Sequence, residues 1–553
     1  MIDKSSKNQS LRDLFSSTHG IRIPNYQRSY SWEDKHCIQF LEDLVEQNGK
    51  HYYLGQLLFE VDNEIRYIID GQQRLTTSVI LISAITRRLK DLELDTTAIA
   101  SLYLTDYFQT IRDDQILFKK CTRKYIAPKV TDLETLSQKR IVKAYNYFYE
   151  NLPRNQEAIS KILEALEGAL ITTFHIDSKV EATQVFEYQN NRGKDLSQFE
   201  VIKAYLMHQI YIQADTKSLA NYAISDIESM VSKIYRNMES TENYFSESEL
   251  LNITCNLSWS IKGNVSEVKE ALSKSTGKID WITGFFEMFE EITDNAKSVI
   301  LNKRINEISN LFFVGNEVDW KIILIAIFNR AESDTSDFKV ILKNLEILCF
   351  KMKLGDFRTD YLPKYAKSYF SGDSDISTLS SKIENAATCG FKWYWNDGGK
   401  FENIIINYFE NEDYHYNRNV IKFILWQYEN SIRATNKSGV LLDRLLYDEY
   451  TIEHIAPQTP SNTKYSDEFK NLYLHKAGNL ALLTKSQNSK FNNKSFEHKK
   501  SLFQDTALSS YTEIRNNKNW TESEIQKRHS NLVTFINSYF YIRRSNNTVS
   551  SCT

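Results

Sequence analysis

Proline is scarce in this chain, 6 in 553 residues, and glycine numbers only 17. Together these shortages exclude long flexible or proline-stiffened linkers and predict a largely helical body. The six cysteines (Cys37, Cys121, Cys255, Cys349, Cys389 and Cys552) are scattered without a CxxC pair. Neither a zinc knuckle nor a disulfide framework is therefore expected. No run of about 18 uninterrupted apolar residues occurs, so no membrane partner is expected. The short apolar segments Ser78–Ile85 and Ile322–Phe328 read instead as buried helices. The opening MIDKSSKNQSLRDLF lacks the apolar core of a secretory signal, and a cytoplasmic protein is the expectation. The net charge of −3 gives no global pull toward nucleic acid. A G-x-x-x-x-G-K-[ST] phosphate loop is absent as well.

What is present is a soluble composition, 41% hydrophobic and 25% charged, long enough for two or three domains. Residues 10–90 read as mixed α/β. Gly20–Tyr30 looks extended, Trp32–Gln47 is helical, and Tyr52–Glu60 and Glu64–Ile69 are strand-like around the turn residues Asp62-Asn63. Asp70-Gly71 breaks the second strand, and Gln72–Leu89 continues as an apolar helix. Helices then dominate to Gly168, followed by a strand over Ala169–Ile176 and a helix over Glu181–Gln189. Ser197 and Glu200 form an S-x-x-E capping box opening the next helix. Residues 212–440 are helical throughout, with no catalytic motif. From Thr451 the texture changes to short strands, a polar loop and an Asn/Lys-rich helix. These shifts divide the chain into 1–210, a helical linker or sensor over 211–435, and 436–553.

The last segment carries a spaced constellation. Thr451–Ile455 (TIEHI) reads as a strand, Gly478-Asn479 as a turn into a second strand, Leu480–Leu483, and Thr484 or Ser486 as the cap of a helix at Asn488. Two strands followed by a helix is the minimal ββα-metal arrangement. A neutral imidazole at His454 can take a proton from water near pH 7. Glu453 and Asn488 offer hard oxygen ligands suited to one Mg²⁺ or Mn²⁺, while Asn479 would hold the loop. Between Ala456 and Arg544 there are 14 Lys or Arg against 7 Asp or Glu, a local surplus suited to a phosphate backbone. An isolated Glu-His pair is more often a strand end than a catalytic site; the whole spaced pattern is what points to chemistry. His475 and His498 read as solvated or backbone-bonded.

Three further segments stand out upstream: IPNYQRSYSW (residues 23–32), DGQQRLTT (70–77) and FEYQNNRG (186–193). The second is the most mechanical. A strand ends on Asp70, Gly71 allows close backbone approach, and a helix begins with free N–H groups that attract an anion. Arg74 adds a forked donor, and Asp70 could bind a metal or position water. A tight turn with a helix cap is the plainer account of the same residues, and a helix C-cap is the plainer account of Asn190–Gly193. Trp32 and Tyr30 are expected in the core.

Both halves resemble one family. EHIAPQ…GNLALLTKSQNSKFNNKSFEHK is similar to the HNH (His-Me finger) nuclease domain of GmrSD-type modification-dependent, type IV-like restriction enzymes, over roughly the last quarter of the chain. IPNYQRSYSW, IIDGQQRLTT and FEYQNNRGKDLSQFEVIK, in that order, resemble the N-terminal half of the same proteins over about residues 10–210. The resemblance implies an α+β multidomain, predominantly helical protein. Its N-terminal domain would have a ParB/sulfiredoxin-like fold with a DGQQR motif for nucleotide hydrolysis, and its C-terminal domain an HNH nuclease. Carried over, His454 is the general base, Glu453 and Asn488 are metal ligands, and Asn479 supports the catalytic loop. Glu453 stands where Asp is usual. Asn492, Asn493 and Lys499 fall in the same stretch as contacts to metal or phosphate. Asp70, Gly71, Gln72, Gln73 and Arg74 would bind and hydrolyse GTP or ATP, with Tyr26, Gln27, Arg28, Asn190 and Arg192 lining the cleft. Glu200 stands where relatives often carry Asp.

The expected function is a nucleotide-regulated, Mg²⁺-dependent endonuclease of anti-phage defence acting on double-stranded DNA. Its trigger would be glucosylated hydroxymethylcytosine or, as in SspE-like relatives, a phosphorothioate backbone. One HNH site cuts one strand, so double-strand cleavage calls for a homodimer or sequential nicks. The competing expectation is a nucleotide-binding sensor of modified DNA whose HNH half is inactive or acts only with a partner.

Overall fold

The computed structural model describes residues 7–24, 27–47, 52–62, 64–133, 135–176, 197–314, 319–355, 361–390, 404, 408–409, 418–435, 440–460, 465–491, 493–503 and 508–540. Tyr26, the predicted helix over Glu181–Gln189, and Asn190 and Arg192 lie outside them, as does Asn492. By compactness the chain falls into two units, residues 1–300 and 301–553.

The first unit is built on a mixed six-stranded sheet: β1 (Lys7–Ser10), β2 (Gly20–Arg22), β3 (Tyr53–Asp62), β4 (Ile65–Asp70), β5 (Phe108–Gln109) and β6 (Leu170–Ile176), ordered β1-β6-β3-β4-β2-β5. β3 and β4 form the antiparallel pair that the Asp62-Asn63 turn predicts, with a register shift between Leu58 and Phe59. β3 also runs parallel to β6. The helix Gln72–Asp91 leaves β4 directly. Its sequence QQRLTTSVILISAIT is apolar on nearly every side, and almost every position from Gln72 to Ile85 is buried accordingly. Its hydroxyls are satisfied without water: Thr76 Oγ1 donates to the Gln72 carbonyl (2.7 Å), Thr77 Oγ1 to Gln73 (2.9 Å), and Ser83 Oγ to Thr122 (2.7 Å). Leu75, Val79, Ile80 and Ile82 are fully enclosed. Each contributes roughly 1.5–3 kcal/mol by burial, which anchors the helix and thereby fixes its N-terminus.

The capping box at Ser197 and Glu200 forms as the sequence predicts and opens the helix Gln198–Gln213. Helices Lys217–Thr241, Glu247–Trp259, Val265–Lys274 and Lys278–Leu301 follow. The sequence draws a boundary at residue 210 from texture; by compactness these helices group with the N-terminal sheet. Among the described residues no helix is long and apolar enough to cross a membrane.

The second unit begins with helices, among them Trp320–Asn329, Ser336–Gly355 and Arg418–Thr435. It continues into an antiparallel pair, β7 (Tyr450–His454) and β8 (Leu480–Thr484), registered His454 opposite Leu480 and Tyr450 opposite Thr484. The helix Lys485–Phe491 leaves β8 at once, and the Gln487 N–H bonds Thr484 Oγ1 (3.2 Å), so Thr484 rather than Ser486 is the cap. β8 is buried from Leu480 to Leu483, consistent with its unbroken apolar run.

Candidate functional site

β7 delivers Glu453 and His454 to one end of the strand pair. The helix Lys485–Phe491 starts at the other end, after Thr484, and brings Asn488 to within 2.9 Å of Thr451. Together with Thr451, Lys485, Ser489 and Asn493 they line a cavity of about 540 Å³. Thus three residues singled out by spacing converge, and a fourth, Asn479, lies beneath them.

Asn479 is fully buried. Its Oδ1 accepts from the Ala456 N–H (2.8 Å) and from Trp520 Nε1 (3.0 Å). Its Nδ2 donates to the carbonyls of Ala456 (3.2 Å) and Leu474 (2.7 Å). All four bonds are internal, so Asn479 holds the site together, as the loop-holding role implies. The preceding Gly478 is pressed against the helix Glu522–Tyr539. A Cβ there would lie 2.0 Å from the Ile525 carbonyl oxygen, so only glycine fits. Arg528 from that helix is buried and donates to the carbonyls of Gly478 (2.9 Å) and Leu480 (2.6 Å).

Glu453 is engaged by Lys499, whose Nζ is fully buried and also donates to the His454 carbonyl. Burial raises the Glu453 carboxyl and lowers the Lys499 ammonium, while each partner's charge opposes the other's shift. Lys499 therefore faces the protein's own carboxylate, not a phosphate at the surface. Asn488 Nδ2 donates to Thr451 Oγ1 (2.9 Å), so this bond does not use its side-chain carbonyl oxygen. His454 is buried, and its Nε2 lies 3.2 Å from Nδ1 of His475. His475 was expected to be solvated or backbone-bonded; it instead meets the candidate base. No local pattern could have shown this, since the two histidines stand 21 positions apart in the chain. His498 does stay outside, bonded to Ser495 Oγ (2.9 Å).

In the first unit the first two upstream motifs also meet, and the third, residues 186–193, lies outside the described residues. Gly71 adopts φ +90° as the N-cap of the helix Gln72–Asp91, and a Cβ there would lie 2.2 Å from Leu57 Cδ2. Gln73 binds the first motif on both sides: its Oε1 accepts from the Ser31 N–H (2.8 Å) and its Nε2 donates to the Ser29 carbonyl (3.0 Å). Gln27 Nε2 adds a bond to the Ile69 carbonyl (3.0 Å). Gln72 is buried beside them. Arg74 spreads its fork onto the carbonyls of Leu54 (2.9 Å) and Gln56 (2.8 Å), with Asp70 at 3.7 Å. The forked donor that the sequence offers to an anion thus clasps β3 around Gly55, itself at φ +106°. Asp70 is half exposed at the helix start.

Arg28 ties the first motif to the region after the third by pairing with Glu200 (3.4 Å). Lys203, one helical turn on, is enclosed beside Tyr235, with Nζ 3.2 Å from its hydroxyl oxygen; burial lowers the ammonium to about 8. The sequence includes Lys203 in its third motif but gives it no role. Tyr30 is buried with its hydroxyl 2.9 Å from Thr77 Oγ1, a core aromatic as expected.

Two family models match the chain, and their matches fall on these two sites. The model of the GmrSD restriction endonuclease N-terminal domain matches residues 11–207, and that of the C-terminal domain matches residues 400–535, together more than half of the chain. No curated protein matches it. With both domain models matched in order, the chain belongs to the GmrSD restriction endonuclease family and is a DNA endonuclease of restriction.

Proposed function

We propose that this endonuclease cuts or nicks DNA at an HNH (His-Me finger) centre formed by β7, β8 and the helix Lys485–Phe491. Nucleotide bound by the first unit would regulate it. The observation that carries the proposal is the shared cavity of Glu453, His454 and Asn488, supported from below by the buried Asn479. His454 takes the proton from the attacking water, and the hydroxide that results displaces the 3′ oxygen of the scissile phosphodiester. Lys485, an exposed residue lining the same cavity, attracts the phosphate backbone.

The donor set fits a hard divalent cation. Glu453 supplies a carboxylate, Asn488 a carbonyl oxygen, and among the described residues no group of three or more His, Cys, Asp or Glu gathers for a softer metal. So thin a protein shell suits Mg²⁺ or Mn²⁺, which keep waters and take substrate phosphate as ligands. When bound, the ion neutralises phosphate charge and stabilises the leaving oxygen.

In the first unit, the free N–H groups at Gln72–Arg74, behind Gly71, are the nucleotide-phosphate site of this proposal, with Asp70 positioning the hydrolytic water. GTP or ATP is the ligand. The DNA is double-stranded and modified, by glucosylated hydroxymethylcytosine or phosphorothioate, in anti-phage defence in the cytoplasm, and a homodimer would cut both strands.

One observation favours a second reading, a nucleotide-binding sensor whose HNH half is inactive or needs a partner: Lys499 already occupies the Glu453 carboxylate. The deciding experiment is a cleavage panel over unmodified, glucosylated and phosphorothioated DNA, with Mg²⁺ and with or without GTP or ATP. Wild type and His454→Ala are compared. Cleavage by wild type alone supports the nuclease. Intact DNA in every lane supports the sensor.

A further inference from the structure

The loop that carries His475 is fixed from both sides. The Leu474 N–H bonds the Phe469 carbonyl (3.0 Å), the Lys476 N–H bonds the Tyr473 carbonyl (3.2 Å), and Asn479 Nδ2 holds the Leu474 carbonyl (2.7 Å). Asn479 also grips Ala456, two residues beyond His454. One buried side chain therefore fixes both backbones from which the two imidazoles project. Those rings meet edge to face, with centroids 5.2 Å apart, planes at 86° and Nε2 of His454 3.2 Å from Nδ1 of His475.

A hydrogen bond between two neutral imidazoles needs one N–H and one lone pair, so the tautomers of the two rings are linked. A general base needs a defined lone pair, and a partner on the other ring nitrogen is the usual means of defining it. We propose that His475 is a positioning residue for the phosphodiester reaction. It accepts the Nε2–H of His454 on its own Nδ1, and so holds His454 in the tautomer whose basic lone pair is on Nδ1. This rests on the reading of His454 as general base. Charged groups near the pair include Glu453 on β7, Lys499, which bonds the His454 carbonyl, Lys485 in the cavity lining and Lys476 beside His475 in the chain.

The test uses full-length protein with Mg²⁺ and whichever DNA it cleaves, comparing His475→Leu, His475→Asp and His454→Ala. Thermal melting confirms folding of each. His475→Leu is expected to lower kcat about 10- to 100-fold with KM little changed, since no DNA contact is removed. His475→Asp is expected to restore most of the rate, because a carboxylate accepts the same N–H. Nitrogen-15 spectra of histidine-labelled wild type, assigned with the His454→Ala variant, are expected to show His454 protonated on Nε2. Protonation on Nδ1, wild-type kcat in His475→Leu, or a folded His475→Asp no faster than His475→Leu would each overturn the proposal. Cleavage retained in His454→Ala would instead remove the general-base reading itself.

Discussion

Asn479 and Ala456 are joined through both main-chain polar groups of Ala456: its N–H reaches Asn479 Oδ1 at 2.8 Å, and its carbonyl receives Asn479 Nδ2 at 3.2 Å. Asn479→Ala strips the partners from Ala456, Leu474 and Trp520 at a site without solvent. The expected cost is roughly 3–5 kcal/mol, the sum of several buried groups left unpaired. Thermal or denaturant unfolding should show it. A lost cleavage activity with an unchanged melt would instead assign Asn479 a direct part in the chemistry.

Lys499 and Glu453 form a pair that is worth keeping whole but costly to halve. Lys499→Met leaves a carboxylate enclosed without its cation, and about 3–5 kcal/mol of stability is expected to go. The double variant Lys499→Met with Glu453→Gln should recover much of that loss. A double-mutant cycle that gives additive effects would show that the two groups do not depend on each other.

Glu239, in the first unit, accepts from the Ser137 N–H, and Ser137 Oγ in turn donates to Asp114. Burial, aided by the Asp114 charge, raises the Glu239 carboxyl to about 7. The folded protein therefore keeps a proton that the unfolded chain releases near the ordinary value of about 4.5. Stability attached to this group is full below that value and declines as pH rises toward 7. Glu239→Gln keeps the acceptor and removes the titration. It should match wild type at pH 4.5 and exceed it at pH 8, by on the order of 1 kcal/mol after allowance for solvent at a half-buried group. Equal melting temperatures across that range would refute the assignment.

Gly71→Ala places a methyl against Leu57 in a backbone conformation that disfavours side chains. A destabilisation of about 1–3 kcal/mol is expected. Loss of nucleotide binding should accompany it, because the helix's first amides move. Binding of labelled GTP and ATP at matched temperature measures this. Full affinity in the variant would place the nucleotide elsewhere.

Much of this was legible in the chain because the decisive features are local. β7 and β8 follow from β-rich and apolar runs, and the turn at Gly71 follows from a Gly between a strand and an apolar helix. The capping box at Ser197 is a four-residue pattern. The unread parts are contacts between distant residues. Lys499 finds Glu453 across 46 positions, and Trp520 finds Asn479 across 41. Nothing in either neighbourhood encodes the partner. The grouping of helices up to Ile300 with the first sheet was equally hidden, since helical texture is the same on both sides of that boundary.

The engagement of Gln73 with Ser29 and Ser31, and of Arg74 with Leu54 and Gln56, bears on how mutational scans of the DGQQR motif should be interpreted. Alanine at either position would remove bonds that hold this backbone in place, and activity would fall with the fold. The phenotype would be indistinguishable from the loss of a catalytic group unless folding is assayed alongside. Two of the five residues of that motif are, in this protein, scaffolding. Under the proposed nucleotide hydrolysis, the half-exposed Asp70 is the side chain in it whose replacement would report on that step.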